Sequence, residues 1–259
     1  MLKMLYDSSP VIEEIVSRFR SMSQEHPGEI ELELRLGSSS KNAFFPGVPP
    51  SVFQQLDEDM CEDCRLVTPE TWSEIVDYHY MGLNGFPIRT RVIANSEKML
   101  VDKEHTRKVV IQKVLVKRDD GSEDVARLTL SHEIPVVNPP ASCVPTHVRI
   151  KQRRTFKDVR EGATVWAYEL SKTWSANSRS AVEHKQHMNE PIYEVECELV
   201  DEHGTYLMER TDEEVSQSLM IKLKSLFGKD TVTKLKVERE DVPRESSGQA
   251  KSKRSKRKA

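Results

Sequence analysis

Behind a Ser9-Pro10 pair that suits a helix start, the apolar residues Ile12, Ile15, Val16, Phe19 and Met22 recur three or four apart. This spacing predicts an amphipathic helix over 9–24. From 29 to 37 the period changes to two. Leu32, Leu34 and Leu36 alternate with Glu31, Glu33 and Arg35, the pattern of a strand with one apolar face. Further strands are predicted near 78–82, 88–94, 98–103, 107–117, 125–135, 147–156, 164–174 and 192–200, with a last short one at 232–239. A loop containing FFPGVPP runs from 40 to 64 and includes a short helix from Ser51. A second helix is predicted from Thr68-Pro69 to about Val76. Asp119-Asp120-Gly121 reads as a turn, 136–145 as a proline-rich loop and 175–190 as a polar loop. Thr211-Asp212-Glu213-Glu214 matches a capping box and opens a helix with Val215, Leu219, Leu223 and Leu226 on one side, ended by Gly228. No repeat or linker interrupts the body. One domain is expected over 1–242, followed by a disordered basic tail over 243–259.

The polar faces of these strands are unusual in their charge. Residues 193–199 put Glu194, Glu196 and Glu198 on one face, backed by Val195, Cys197 and Leu199. Arg149, Lys151 and Arg153 share a face of the strand at 147–156, and Glu169 and Ser171 share one opposite Tyr168 and Leu170. Glu133 lies near a strand end, in phase with Arg127, Thr129 and Ser131. Any one such face fits an ordinary solvated side of an antiparallel sheet. Surface strands mix signs, however, because like charges on one face weaken pairing. A wholly basic face and a wholly acidic one in the same chain call for a multivalent ligand. Clustered carboxylates suit a hard divalent cation, Mg²⁺ or Mn²⁺, and alternate Arg and Lys suit phosphate oxygens. If the charged faces point inward, the sheet must close into a barrel with a polar lumen, and the helices at both ends of the chain must cover its apolar outside.

Composition narrows this further. With 259 residues, 37% of them apolar, the chain can build one substantial core. No apolar run approaches a membrane span, and no signal-peptide pattern opens the chain, so a soluble intracellular protein without a membrane partner is expected. Cys61, Cys64, Cys143 and Cys197 are too scattered for a disulfide framework and are expected to be reduced. The net charge of −3 conceals six Lys and Arg in the last nine residues, KSKRSKRKA. That tail reads as a nuclear-import signal or a tether to nucleic acid, with a solubilising segment as the plain alternative. Cys61-x-x-Cys64 lacks a second pair for zinc, and His184-x-x-His187 falls in the polar loop. Trp72, Trp166 and Trp174 are read as packing residues. KRDDG at 117–121 reads as a hairpin turn and not as a guanylyltransferase nucleophile motif.

Glu31-x-Glu33-x-Arg35 near the start, the Arg149-x-Lys151-x-Arg153 strand, Glu169-x-Ser171 and the triple-glutamate strand follow one another in an order that resembles the triphosphate tunnel metalloenzymes. Within them it looks like the metal-dependent RNA triphosphatases of mRNA capping in fungi, protozoa and some large DNA viruses. The resemblance covers roughly 29–200. It implies a mainly β protein with helices, a closed antiparallel eight-stranded β-barrel enclosing a triphosphate tunnel, helices packed outside. Glu31, Glu33 and Glu198 would hold Mg²⁺ or Mn²⁺. Arg91 and Lys113 would point into the tunnel and contact phosphate, with Arg89 and a neighbouring lysine as the alternatives in the loosely aligned segment 84–118. Glu133 would orient or activate the attacking water, and Lys151 and Arg153, supported by Arg149, would hold the γ-phosphate. Glu169 and Ser171 would join the tunnel floor, where the family more often has Asp and Thr. Glu194 and Glu196 would position the basic residues and metal-bound waters.

The implied activity is removal of the γ-phosphate from 5′-triphosphate RNA, and free nucleoside triphosphates are an added substrate class. The implied partners are the 5′-triphosphate end of nascent RNA and a separate guanylyltransferase, in the nucleus. A tunnel enzyme acting on thiamine triphosphate or inorganic polyphosphate is the close alternative. A non-catalytic binder of triphosphate-ended RNA is the alternative of another class; it would have no need for Glu31, Glu33 and Glu198 together.

Overall fold

A computed structural model describes residues 9–40, 43–67, 71–82, 85–94, 100–118, 122–137, 144–160, 163–201, 204–227 and 235–240. In chain order the elements begin with α1 (Pro10–Glu25), β1 (Ile30–Ser40), β2 (Ala43–Pro46), α2 (Pro50–Glu62) and β3 (Leu66–Val67). β4 (Ser73–Met81), β5 (Pro87–Ala94), β6 (Leu100–Arg118), β7 (Asp124–Pro135), β8 (His147–Arg160) and β9 (Ala163–Ala176) follow. The rest are α3 (Arg179–His187), β10 (Ile192–Leu199), α4 (Thr205–Glu209), α5 (Asp212–Phe227) and β11 (Leu235–Glu240).

Eight strands form a closed antiparallel barrel in the order β1-β7-β6-β5-β4-β8-β9-β10, and β10 returns to β1. The closing register sets Glu33 against Glu198 and Arg35 against Glu196, so the first and last barrel strands bring their charged rows together. β2 and β3 are short additions to β1 and β8, and β11 pairs with the second half of β6.

The barrel is inverted in polarity. Its outward side chains, among them Leu32, Leu34, Leu36, Leu128, Leu130, Phe156, Trp166 and Leu170, are buried beneath helices. Ile12, Ile15, Val16 and Phe19 of α1, Phe53, Leu56 and Met60 of α2, and Val215, Leu219, Leu223 and Leu226 of α5 complete this core. Arg20 on α1 ties the layer together, its Nε 2.6 Å from Asp212 and its Nη2 donating to the Arg210 carbonyl at 2.7 Å. The predicted capping box is present: Thr211 N–H donates to Glu214 Oε2 at 2.8 Å, and Glu214 N–H donates to Thr211 Oγ1 at 3.2 Å. A second apolar patch, Val76, Val148, Ile150 and Trp174, lies under Val182 of α3. Phe156 has no exposed surface. Phe156→Ala should therefore destabilise the protein by about 3–5 kcal/mol, read as a lower urea midpoint at unchanged slope.

Three local expectations are corrected. Residues 73–76 belong to strand β4 and not to a helix, because Ile75 and Val76 each pair with β5 and β8. Of the segment predicted at 98–103, residues 98 and 99 lie outside the described residues; 100–103 and 107–117 are parts of one long strand, β6, whose first half pairs with β5 and whose second half pairs with β11. The polar stretch 175–190 contains helix α3, opened by Ser178, whose Oγ accepts from Ala181 N–H, so His184 and His187 are helical. Trp166 and Trp174 are buried as expected, and Cys61, Cys64 and Cys197 are free thiols. No described helix is long and apolar enough to cross a membrane. The turn at 119–121, Gly228, Cys143 and the basic tail lie outside the described residues.

Candidate active site in the barrel lumen

Alternation carries one row of each strand into the lumen, a cavity of about 300 Å³. Of the residues singled out from the sequence, Glu31, Glu33, Arg91, Lys113, Arg149, Lys151, Arg153, Glu169, Glu196 and Glu198 line it. Glu194 and Glu133 sit on the same inward-facing rows, next to residues that line this cavity. Glu194 accepts from Arg149 Nη2 at 2.7 Å and from Thr173 Oγ1 at 2.8 Å, and Glu133 accepts from Arg89 Nη2 at 2.7 Å. Ion pairs run diagonally across the strands. Arg153 faces Ser171 in the hydrogen-bond register, yet its guanidinium reaches Glu169 at 2.5 Å and Glu196 at 3.2 Å while its Nε donates to Ser171 Oγ at 3.1 Å. Arg35 lies 2.5 Å from Glu196 and 2.9 Å from Glu33. Such offsets follow from the tilt and stagger that barrel closure imposes.

With the closed charged barrel and its outer helices in view, the chain superposes on solved RNA triphosphatases. Against the S. pombe RNA triphosphatase Pct1 the TM-score is 0.62 at 15% identity, over 87% of this chain and 94% of that one. The same enzyme in complex with the Spt5 CTD gives 0.59 at 14%, over 87% and 98%. The Mimivirus capping enzyme triphosphatase gives 0.51 at 14%, over 85% and 97%. The fold is the triphosphate tunnel. No protein-family model and no curated protein sequence matches the chain.

The two sides of the tunnel differ in how their charges are balanced. Burial works against the charge of Glu196, but Arg35, Lys151 and Arg153 overcome it and hold this carboxyl well below the usual range. Glu198 is the opposite case. Burial first, then the facing carboxylates Glu31, Glu169 and Glu33, push it well above the usual range. Among the described residues Glu198 makes no ion pair, and Lys108 offsets the push only in part. The Lys108 ammonium hydrogen-bonds Glu31 and lies 3.6 Å from Glu33 and 3.4 Å from Glu133. Burial opposes that ammonium's charge, yet Glu33, Glu31 and Glu133 raise its pKa above the usual range, so it stands among these carboxylates as a firmly held cation. A donor set of three carboxylates converging on one lumen, with one of them short of positive charge, fits a hard divalent ion held by Glu31, Glu33 and Glu198.

On the basic side, Lys151 is 2% exposed, 3.5 Å from Glu194 and 3.8 Å from Glu196. Burial lowers its pKa to about 8; Glu196 opposes the shift, and Arg153 and Arg149 add to it. Partial burial opposes the charge of Glu133, but Arg89 and Lys108 keep it below the usual carboxylate range. Lys113 and Arg127 line the tunnel with no carboxylate ion pair among the described residues.

Several lining groups were missed or left as alternatives by the sequence reading. Asp77 receives Arg91 Nε at 3.0 Å, and Arg91 with Lys151 brings its carboxyl down to about 2 against the effect of burial. The helix predicted over 68–76 hid it, although Ile75, Asp77 and His79 alternate with Val76 and Tyr78 as a strand would. Arg89 and Arg91 both face the tunnel, two apart on β5. Lys108 and Lys113 both face it too, although they stand five positions apart. A register shift between Val110 and Gln112 reverses the alternation and reconciles the two.

Proposed function

We propose that this chain is a divalent-metal-dependent RNA 5′-triphosphatase that removes the γ-phosphate of triphosphate-ended RNA and leaves a diphosphate end. One observation carries the reading: a closed lumen whose described lining holds nine Arg and Lys against six carboxylates, an excess of three positive charges, with the carboxylates of Glu31, Glu33 and Glu198 beside the basic row. A small cationic tunnel next to a metal-suited acid cluster matches a terminal polyphosphate. The S. pombe and Mimivirus neighbours, named as an RNA triphosphatase and a capping enzyme triphosphatase, support the same assignment.

In this reading Glu31, Glu33 and Glu198 hold the ion, which when bound neutralises phosphate charge and supplies Lewis acidity. Arg153, Lys151 and Arg149 form the row that takes the γ-phosphoryl oxygens, where charge spreads in the transition state. Asp77 aims Arg91, and Glu169, Glu194 and Glu196 hold the basic row in place by the contacts described. Glu133, kept ionised by Arg89 and Lys108, accepts a hydrogen bond from the attacking water and orients it in line with the leaving β-phosphate oxygen. The γ-phosphorus gains the water oxygen and loses its bridge to the β-phosphate, giving inorganic phosphate and a diphosphate end. Nascent RNA, a separate guanylyltransferase and a nuclear location are the setting this activity implies, and the basic stretch at 251–258 supports the last. Free nucleoside triphosphates belong to the same substrate class.

The test is phosphate release from triphosphate-ended RNA, thiamine triphosphate and inorganic tripolyphosphate, with Mg²⁺, with Mn²⁺ and with chelator. Release from RNA that chelator abolishes supports the proposal. A clear preference for thiamine triphosphate or tripolyphosphate rejects it, as does binding without turnover. Deleting 244–259 should leave turnover nearly intact. The Lys151 ammonium adds a pH signature: kcat/KM should fall as pH rises through about 8, where this free-enzyme group loses its charge, and Lys151→Arg should remove that limb. The stability sign is opposite. Between about 8 and the ordinary lysine value of 10.5 the folded state binds fewer protons than the unfolded one, so folding gains stability with rising pH across that window.

A further inference from the structure

On the outer side of the barrel, at the end where Glu133 stands, His26, Glu29 and His132 bring their ligand atoms within 4.8 Å of one another. His132 Nε2 and Glu29 Oε2 are 2.8 Å apart, and His26 Nδ1 is 4.0 Å from the same oxygen. The two imidazole rings lie 4.5 Å apart between centroids. We propose that these three side chains form a second metal site, separate from the tunnel carboxylates and selective for an imidazole-preferring divalent ion such as Zn²⁺.

The chemistry of the set points there. Two imidazoles and one carboxylate suit Zn²⁺, whereas Mg²⁺ and Ca²⁺ take oxygen donors. Tetrahedral donors at about 2.0–2.1 Å from Zn²⁺ stand about 3.4 Å apart, so side-chain rotation of roughly 1 Å closes the set. His26 is free to supply that rotation, because its side chain is 44% exposed at the C-terminal end of α1. Half-exposed Glu29 and His26 leave a fourth position open to water.

The backbone is already braced for such an ion. Glu29 N–H donates to the His26 carbonyl at 3.2 Å, and Glu133 N–H donates to the Glu29 carbonyl at 2.7 Å. His132 pairs with Ile30, one residue along from the Glu31–Ser131 pair that faces the tunnel. An ion here would therefore staple the α1–β1 turn to β7, linking residues about a hundred positions apart and securing the backbone that carries Glu31 and Glu133. The role is structural, and it would hold whether or not the tunnel hydrolyses RNA.

The test is Zn²⁺ binding by the full chain in millimolar Mg²⁺, which occupies oxygen-donor sites, by equilibrium dialysis. Wild type and Glu31→Gln/Glu198→Gln protein should each hold one Zn²⁺ that His26→Asn/His132→Asn protein lacks or holds at least about 100-fold more weakly. Zinc should raise the Tm of wild type by several degrees and leave that of the histidine double variant unchanged. X-ray absorption at the zinc edge of the wild-type protein should show nitrogen and oxygen scatterers at about 2.0–2.1 Å. Equal zinc content and affinity in wild type and the histidine variant would overturn the proposal. So would sulfur at about 2.3 Å, which assigns the ion to Cys61 and Cys64 instead.

Discussion

Glu198→Ala should lower the turnover of triphosphate RNA by about 10³-fold or more, and Glu31→Ala should do the same. Glu198 faces Glu33 across the seam where β10 closes on β1, and burial together with Glu31, Glu169 and Glu33 opposes its ionisation. Lys108 offsets that repulsion only in part, so an added cation has more to relieve here than at a carboxylate already paired with arginine. A second readout follows from the same imbalance. In chelator, Glu198→Gln should be at least as stable as wild type, since it removes a carboxyl the fold disfavours in charged form. Added Mg²⁺ or Mn²⁺ should raise the wild-type Tm and leave that of Glu198→Gln where it was. Wild-type turnover in Glu31→Ala or Glu198→Ala would remove these residues from the metal site.

The second large effect is expected at Arg153, where activity and stability are joined. The residue is 6% exposed, and its guanidinium contacts Glu169, Glu196 and Ser171 at once. Arg153→Ala leaves buried Glu196 and partly buried Glu169 without their shared cation and should cost about 3–5 kcal/mol of stability. Activity should fall with it by about 10²–10³-fold if Arg153 holds phosphate as proposed. Adding Glu169→Gln to Arg153→Ala should return part of the stability, by removing one stranded charge, and none of the activity. Arg153→Lys keeps the charge but not the planar fork, so it should retain more stability than Arg153→Ala while remaining slow. If the double variant recovered turnover, Arg153 would be a structural counterion and not a phosphate ligand.

Much of the tunnel was legible because its rows obey the simplest rule of a strand. Glu31 with Glu33, Arg149 with Lys151 and Arg153, Glu169 with Ser171, and the three glutamates of β10 all sit two residues apart, and all face the lumen or its immediate wall. The apolar partners in between, such as Leu34, Ile150, Leu170 and Cys197, are buried on the outside. The failures have equally definite causes. Thr68-Pro69 resembles a helix start, but pairing of 73–79 with two neighbouring strands outweighs that local signal, and Asp77 went unseen with it. Lys108 was hidden by the register shift in β6, since strict alternation from Lys113 turns it outward. His26, Glu29 and His132 share no pattern at all, being joined only where β7 runs beside β1.

By itself, then, the chain determined which residues share a face, where the charge segregates and which helices carry an apolar side. These are consequences of backbone geometry within a few residues. Tertiary structure alone decided which rows meet: that Glu33 lies opposite Glu198, that Lys108 enters the acid cluster, and that Arg153 is shared between two glutamates. Those outcomes depend on hydrogen bonds between strands far apart in sequence and on the stagger required to close eight of them into a ring, and no local period encodes either.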